Sequence, residues 1–282
     1  MIDPLPITGP RRAALAIGIP LALLSFGFAG LNLVAWAAQS SYHVNLTAPV
    51  HGRTASLTVG SGHISLWPGT PGGIHVSGTA HYAFTQPRVG WLNTSSGVIL
   101  DSHCRRLNQV AGRCSFDYAV ALPPGVDANV TDKAGDLTAR GLASPVSLQS
   151  NAGDIRMDSL SGDVRVRARA GEIIGRDLTG AVLAASNAAG NISLTDLASQ
   201  DVTVTNRAGD ITLTFATIPQ RVTITESAGD VNIVLPRGNT SYDIQAHTSA
   251  GHVTIGPGVV TNTASSYVIS VTSRAGDITI TE

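Results

Sequence analysis

The chain is poor in charge, in aromatic side chains and in sulfur. Of its 282 residues only 13% are Asp, Glu, Lys or Arg and 5% are aromatic, with two Met and two Cys. A typical globular domain carries about 25% charged residues. A thick, aromatic-rich core under a heavily ionised surface is therefore excluded, and thin, regular β-structure fits better. The net charge of −1 excludes the basic face that nucleic acid requires. Beyond residue 40 no stretch sustains a helical apolar period, which removes helix bundles and alternating α/β layers. Neither G-x-S-x-G nor H-E-x-x-H occurs, so the local signatures of many serine hydrolases and zinc peptidases are missing.

Ala13 to Ala38 is the one long apolar run, and it holds no charged residue. It exceeds the roughly 20 apolar residues needed to cross a bilayer. Arg11 and Arg12 precede it, and no Lys or Arg follows until Arg53. The positive-inside rule then makes residues 1–12 a cytoplasmic tail and 13–38 a transmembrane signal anchor, with Trp36 at the outer interface. The alternative is a cleaved signal peptide ending at Ala35-Trp36-Ala37, although a signal core is usually only about 7–15 residues long. Both readings place residues 40–282 outside the cytoplasm. In that compartment Cys104 and Cys114 read as a disulfide closing a hairpin or loop. A metal site at the same pair would need ligands beyond nearby His103.

A short phrase recurs through the second half of the chain: KAGDL, NAGDI, LSGDV, RAGEI, AAGNI, RAGDI, SAGDV, SAGHV and RAGDI. Its turn pairs are Gly135-Asp136, Gly153-Asp154, Gly162-Asp163, Gly171-Glu172, Gly190-Asn191, Gly209-Asp210, Gly229-Asp230, Gly251-His252 and Gly276-Asp277. A period of about 20 residues signals stacked repeats. Between the turns, apolar and polar residues alternate, as in Val202-Thr203-Val204-Thr205 and Ile211-Thr212-Leu213-Thr214-Phe215. A period of two puts the aliphatic residues on one face of a strand and Thr, Ser and Arg on the other. Each half-repeat is thus one turn and one short strand, and two halves make a rung. Gly supplies the backbone conformation of the corner, and the following Asp ties the turn's N–H groups. An antiparallel sandwich is the alternative, but nothing in a sandwich requires identical corners.

Stacking would align Asp136, Asp154, Glu172, Asn191, Asp210, Asp230, His252 and Asp277 in a column about 4.8 Å per rung. Like charges at that spacing repel, so the carboxylates must be hydrogen-bonded within their turns, solvated, or sharing cations. The calcium-binding solenoid phrase is G-G-x-G-x-D-x-U-x, from which this chain departs. The turn residues are read as structural and no cofactor is expected, with shared calcium as the alternative. Regular corner acids also lack the irregular paired carboxylates of glycoside chemistry.

Arg165, Arg167 and Arg169 alternate with Val164, Val166 and Ala168 and so share one strand face. With Arg140, Arg156 and Arg176 placed near them in the stack, they form a candidate anion-binding patch for an envelope polymer or lipid headgroup. The histidines are scattered surface residues, with a metal site from His63, His75 and His81 as the alternative.

The stretch Val120–Val130, VALPPGVDANV, followed by x-A-G-D-[IV] phrases to the end of the chain, resembles a bacterial family known as the "putative adhesins", a domain of unknown function built of β-strand repeats. The resemblance covers a little over half the chain. It implies a surface-exposed or membrane-anchored β-repeat protein of the envelope and carries no catalytic residues over to this sequence. Residues 40–119 carry no such resemblance.

These readings predict an all-β protein. A β-solenoid of rungs of ~18–22 residues spans 126–282, preceded by a β-rich extracytoplasmic module at 40–125 and one N-terminal transmembrane helix. The expected function is non-enzymatic: a membrane-anchored cell-envelope protein with an adhesin-like or scaffolding ectodomain. A sensory or regulatory ectodomain for envelope stress is the second reading, and a β-helical polysaccharide-active enzyme the third. Expected partners are the membrane, through the N-terminal helix, and an envelope polymer or surface ligand, without nucleic acid. Self-association is expected through the C-terminal rung, because Ile278–Glu282 has no capping segment after it.

Overall fold

The structure is a computed structural model that describes residues 25, 27, 29–30, 33–49, 52–94, 97–104 and 114–282. The expected tail at 1–12 and most of the expected anchor at 13–38 lie outside the described residues. Among the described residues no helix is long and apolar enough to cross a membrane.

Described residues form 24 strands in two twelve-stranded sheets that face each other. Each rung sends one strand along the second sheet, turns a corner of two to four residues, and returns along the first sheet. Val146–Ser150 followed by Ile155–Leu160 is one rung, and Val164–Ala168 followed by Ile173–Leu178 is the next. Equivalent strands pair in parallel, with Ile155 opposite Ile173, Ile173 opposite Ile192, and Ile192 opposite Ile211. Each of these isoleucines is fully buried. The second sheet contributes the facing column Val164, Leu183, Val202, Val222 and Ile269, also buried. Each such side chain is worth about 1.5–3 kcal/mol when removed from water, so the slim core is continuous through the stack.

Strict alternation breaks near the end of three first-sheet strands. Ser159, Asp177 and Asp196 hold φ of 54°, 52° and 54°. One left-handed residue tolerates this conformation when its side chain is short and polar. The kink lets Leu160, Leu178 and Leu197 turn inward three residues after Met157, Gly175 and Leu194 rather than two.

Both sheets run unbroken through Pro123-Pro124-Gly125. Thr54–Val59 pairs with Asp127–Asp132, and Ile64–Pro68 with Leu137–Arg140, all in parallel. Farther toward the N-terminal end the pairing turns antiparallel, where Ser40–Ala48 lies against Ile74–Tyr82 and Arg88–Thr94 against Gly97–His103.

The opposite end departs from sequence order. Val268–Ala275 lies between Arg221–Ala228 and Ser241–Ala250, and Ile278–Thr281 lies between Val231–Val234 and Val253–Ile255. The last rung is therefore inserted inside the stack, and the open docking edge expected at Ile278–Glu282 is filled by Val253–Ile255. That three-residue strand is the true edge of the first sheet. Long connections at 235–240 and 256–267 give the chain the slack to place the later rung inward.

Candidate functional site

The corners explain where the glycines and acids go. Gly153, Gly171, Gly190 and Gly209 hold φ between 120° and 124°. A Cβ on Gly190 would lie 2.1 Å from the carbonyl oxygen of Gly171, one rung away. The corner thus needs glycine twice over, for backbone conformation and for contact between rungs. Gly162, in contrast, belongs to the opposite corner, where Asp163 Oδ1 accepts from Val182 N at 3.1 Å.

Six corner side chains, those of Asp136, Asp154, Asn191, Asp210, Asp230 and Asp277, accept from a backbone N–H of the neighbouring rung. Asp154 N donates to Asp136 Oδ1 at 2.9 Å, Glu172 N to Asp154 Oδ1 at 2.9 Å, and Asp210 N to Asn191 Oδ1 at 2.9 Å. Asp230 N donates to Asp210 Oδ1 at 3.0 Å, Asp277 N to Asp230 Oδ1 at 2.8 Å, and His252 N to Asp277 Oδ1 at 2.8 Å. The column runs Asp230, Asp277, His252, because the last rung is inserted. His252 therefore ends it, with no further N–H to receive, and there a carboxylate is dispensable. Arg156 bridges the outward oxygens of Asp154, at 2.8 Å, and Asp136, at 3.6 Å.

A second polar column, which the alternation pattern hid, lies beneath the corners. Asp132, Ser150, Asn187, Asn206, Glu226 and Ser273 are successive, buried, inward residues of the second sheet, with Ala168 between Ser150 and Asn187. Asn187 Nδ2 donates to Gly171 O at 2.9 Å, and Asn206 Nδ2 donates to Gly209 O at 2.8 Å and Gly190 O at 3.2 Å. Neutral amides suit this place because they satisfy corner carbonyls. Asp132 cannot donate when ionised, and neither of its carboxylate oxygens has a hydrogen-bond partner. Burial pushes its carboxyl up to about 6; the N–H groups of Lys133 and Ala134 face it and offset only part of that rise. Glu226 is also raised, by burial above all, although its Oε1 accepts from Ser227 N and Ala228 N. The signal in the sequence is a polar residue immediately before the x-A-G phrases, with Ala168 before Arg169-Ala170-Gly171 as the exception.

His63, His75 and His81 do not converge. His81 Nε2 lies 3.5 Å from Asp117, His63 Nδ1 lies 3.8 Å from Asp136, and His75 Nδ1 lies 3.0 Å from Thr47 Oγ1. Among the described residues no group of three or more His, Cys, Asp or Glu is placed to hold a metal ion. Cys104 and Cys114 are joined in a disulfide.

The arginines divide between the two sheets. Arg140, Arg156 and Arg176 lie on the first sheet, with Asp158 in register between Arg140 and Arg176. They do not join Arg165, Arg167 and Arg169, which stand exposed on or beside the second-sheet strand Val164–Ala168. Next to that strand, Val182–Asn187 presents Val182, Ala184 and Ser186 outward, the last two opposite Arg165 and Arg167. The strand beyond presents Thr203 and Thr205, followed by Arg207 at the corner. Small side chains between the arginines on one side and Thr203, Thr205 and Arg207 on the other leave a trough, seen as two adjoining concavities of ≈ 550 and ≈ 420 Å³. No ion pair occupies Arg165, Arg167, Arg169 or Arg207 among the described residues, in contrast to Arg156 and to Arg221, which lies 3.4 Å from Asp201. Sequence reasoning found three of these arginines. It missed Arg207, whose place depends on rung register, and the trough floor.

The Toastrack DUF4097 family model matches residues 70–281. No curated protein matches the chain. The fold is similar to that of a "putative adhesin" from Bacteroides fragilis NCTC 9343, with a TM-score of 0.50 and 12% identity over 86% of this chain and 98% of that one. A "putative cell adhesion protein" from Clostridium sporogenes ATCC 15579 aligns over 86% of this chain and 99% of its own, with 12% identity and a TM-score of 0.29.

Proposed function

The chain belongs to the Toastrack DUF4097 family, and from that premise we propose that it is a non-enzymatic, adhesin-like binding protein of the cell envelope, anchored through residues 13–38 with its solenoid outside the membrane. One observation supports this most: the carboxylates recur at corners, where most join one rung to the next, whereas Arg165, Arg167, Arg169 and Arg207 stand together unpaired on a sheet face. An acid set engaged in backbone bonds is poorly placed for proton transfer, and an unpaired arginine cluster is well placed to recognise anions. The name of the Bacteroides fragilis structural neighbour, a "putative adhesin", agrees with that direction.

The test uses the full chain in detergent, screened against glycans, lipids and peptidoglycan with and without calcium. The expected result is saturable binding to one of these surfaces without release of soluble products. Turnover of any polymer would refute the non-enzymatic reading. Retention of the chain in the membrane pellet after alkaline carbonate washing tests the anchor, and its release would refute it.

A further inference from the structure

We propose that the trough over Val182–Asn187 is a binding site for a single, extended, anionic polymer chain lying along the strand direction. The inference rests on the binding role proposed above and names the ligand class. One wall carries Arg165, Arg167 and Arg169; the other carries Thr203, Thr205 and Arg207. The walls stand two rungs apart, about 10 Å. That width admits one polymer chain and excludes a duplex or a folded protein segment. Ala184, Ser186 and Ala188 form a half-buried floor, about 13 Å long at the rise of a β-strand.

Charge is graded along this floor. Arg169 and Arg207 face each other across the corner end, while Asp163 and Asp201 sit at the other end, where Asp201 is held by Arg221. The strongest anion position is therefore at the corner. Guanidinium groups give paired, charge-assisted hydrogen bonds to carboxylate, sulfate or phosphate oxygens. The threonine wall and Ser186 add hydroxyls that can donate or accept, as polymer hydroxyls require. Because Arg165 and Arg167 are two residues apart on one strand, their heads can meet anionic groups about 7 Å apart, the order of spacing along a linear polymer.

The experiment measures equilibrium binding of the full chain in detergent to four probes: polygalacturonate, dextran sulfate, polyphosphate and phosphatidylglycerol vesicles, with neutral dextran as control. Binding to one or more of the three polymers, weakened about 30-fold in an Arg165→Gln, Arg167→Gln, Arg169→Gln variant, is the expected result. The preferred polymer identifies the anion. Ala184→Tyr keeps every arginine but fills the floor, and it should weaken binding comparably. Unchanged binding by Ala184→Tyr would mean general charge attraction and would overturn the site. Binding to vesicles alone, or equal binding by the wild type and the triple variant, would also overturn it. If no probe binds while the chain still binds an envelope preparation, the polymer inference falls and the adhesin-like reading stands. If neither binds, both fall.

Discussion

Replacing Asp132 by Asn should stabilise the protein at neutral and alkaline pH and leave it nearly unchanged in acid. Asp132 is fully buried with both carboxylate oxygens unpartnered, and its carboxyl is raised from 3.8 to about 6 by burial. A carboxyl whose folded pKa exceeds its unfolded value favours folding when protonated. The stability tied to it is intact below about 3.8 and is lost as pH rises through about 6. The gap of about two units corresponds to roughly 3 kcal/mol once both states are ionised. An asparagine removes this loss. Its Nδ2 can also donate to the corner carbonyl of Gly62, by the geometry with which Asn187 reaches Gly171. The assay is urea denaturation of the full chain and the variant, followed by circular dichroism across a pH series. Other groups titrate in the same range, so the difference between the two proteins is the informative quantity. It should grow from near zero around pH 4 to roughly 3 kcal/mol above pH 7. A difference that is flat with pH, or an Asn variant less stable than wild type at pH 8, would refute the reasoning.

Four further outcomes follow from the same geometry. Glu226→Gln should stabilise in the same direction, with its gain also confined to pH above the acid range, because burial raises that carboxyl too. Gly209→Ala should cost about 2 kcal/mol or more in denaturation, since φ is +120° and a Cβ there would lie 2.4 Å from Gly190 O. Asp210→Ala should cost about 1 kcal/mol by removing the acceptor of Asp230 N, whereas His252→Ala at the end of the column should be nearly neutral in the same melts. Spin labels at Asn232 and Thr279 should lie closer together than labels at Asn232 and Thr254, because the last rung is inserted; the reverse order of distances would restore the sequence order of the rungs.

Much of this architecture was legible because each rung repeats one local solution. Val202-Thr203-Val204-Thr205 states its inner and outer faces, and the Ala-Gly-Asp phrases state the corner. The order of the final two rungs was not legible. Exchanging Ser241–Ile255 with Val268–Thr281 preserves the pairing of corner glycines and inward aliphatics, so periodicity cannot choose between the orders. His252 was the clue, as the one residue of the corner column without a side-chain oxygen to accept the next rung's N–H. The column Asp132, Asn187, Asn206 and Glu226 was hidden for a different reason. Polar residues at inward parity look like noise in the alternation until the corner carbonyls they approach are placed. Of the trough, Arg165, Arg167 and Arg169 could be grouped from one strand. Arg207 and the floor of Ala184 and Ser186 needed the lateral register, which sequence separation alone does not supply. The same limit misassigned Arg140, Arg156 and Arg176, since the number of corners between two residues decides which sheet each joins.

The central claim is that the corner acids are architecture and the trough arginines are recognition. The most direct test compares the affinity for the preferred anionic polymer of three full-length proteins: wild type, Asp210→Asn, and the Arg165→Gln, Arg167→Gln, Arg169→Gln variant. Asp210→Asn should bind as wild type does, and the arginine variant should lose about 30-fold. Loss of binding on neutralising Asp210, with the arginine variant unaffected, would contradict the account.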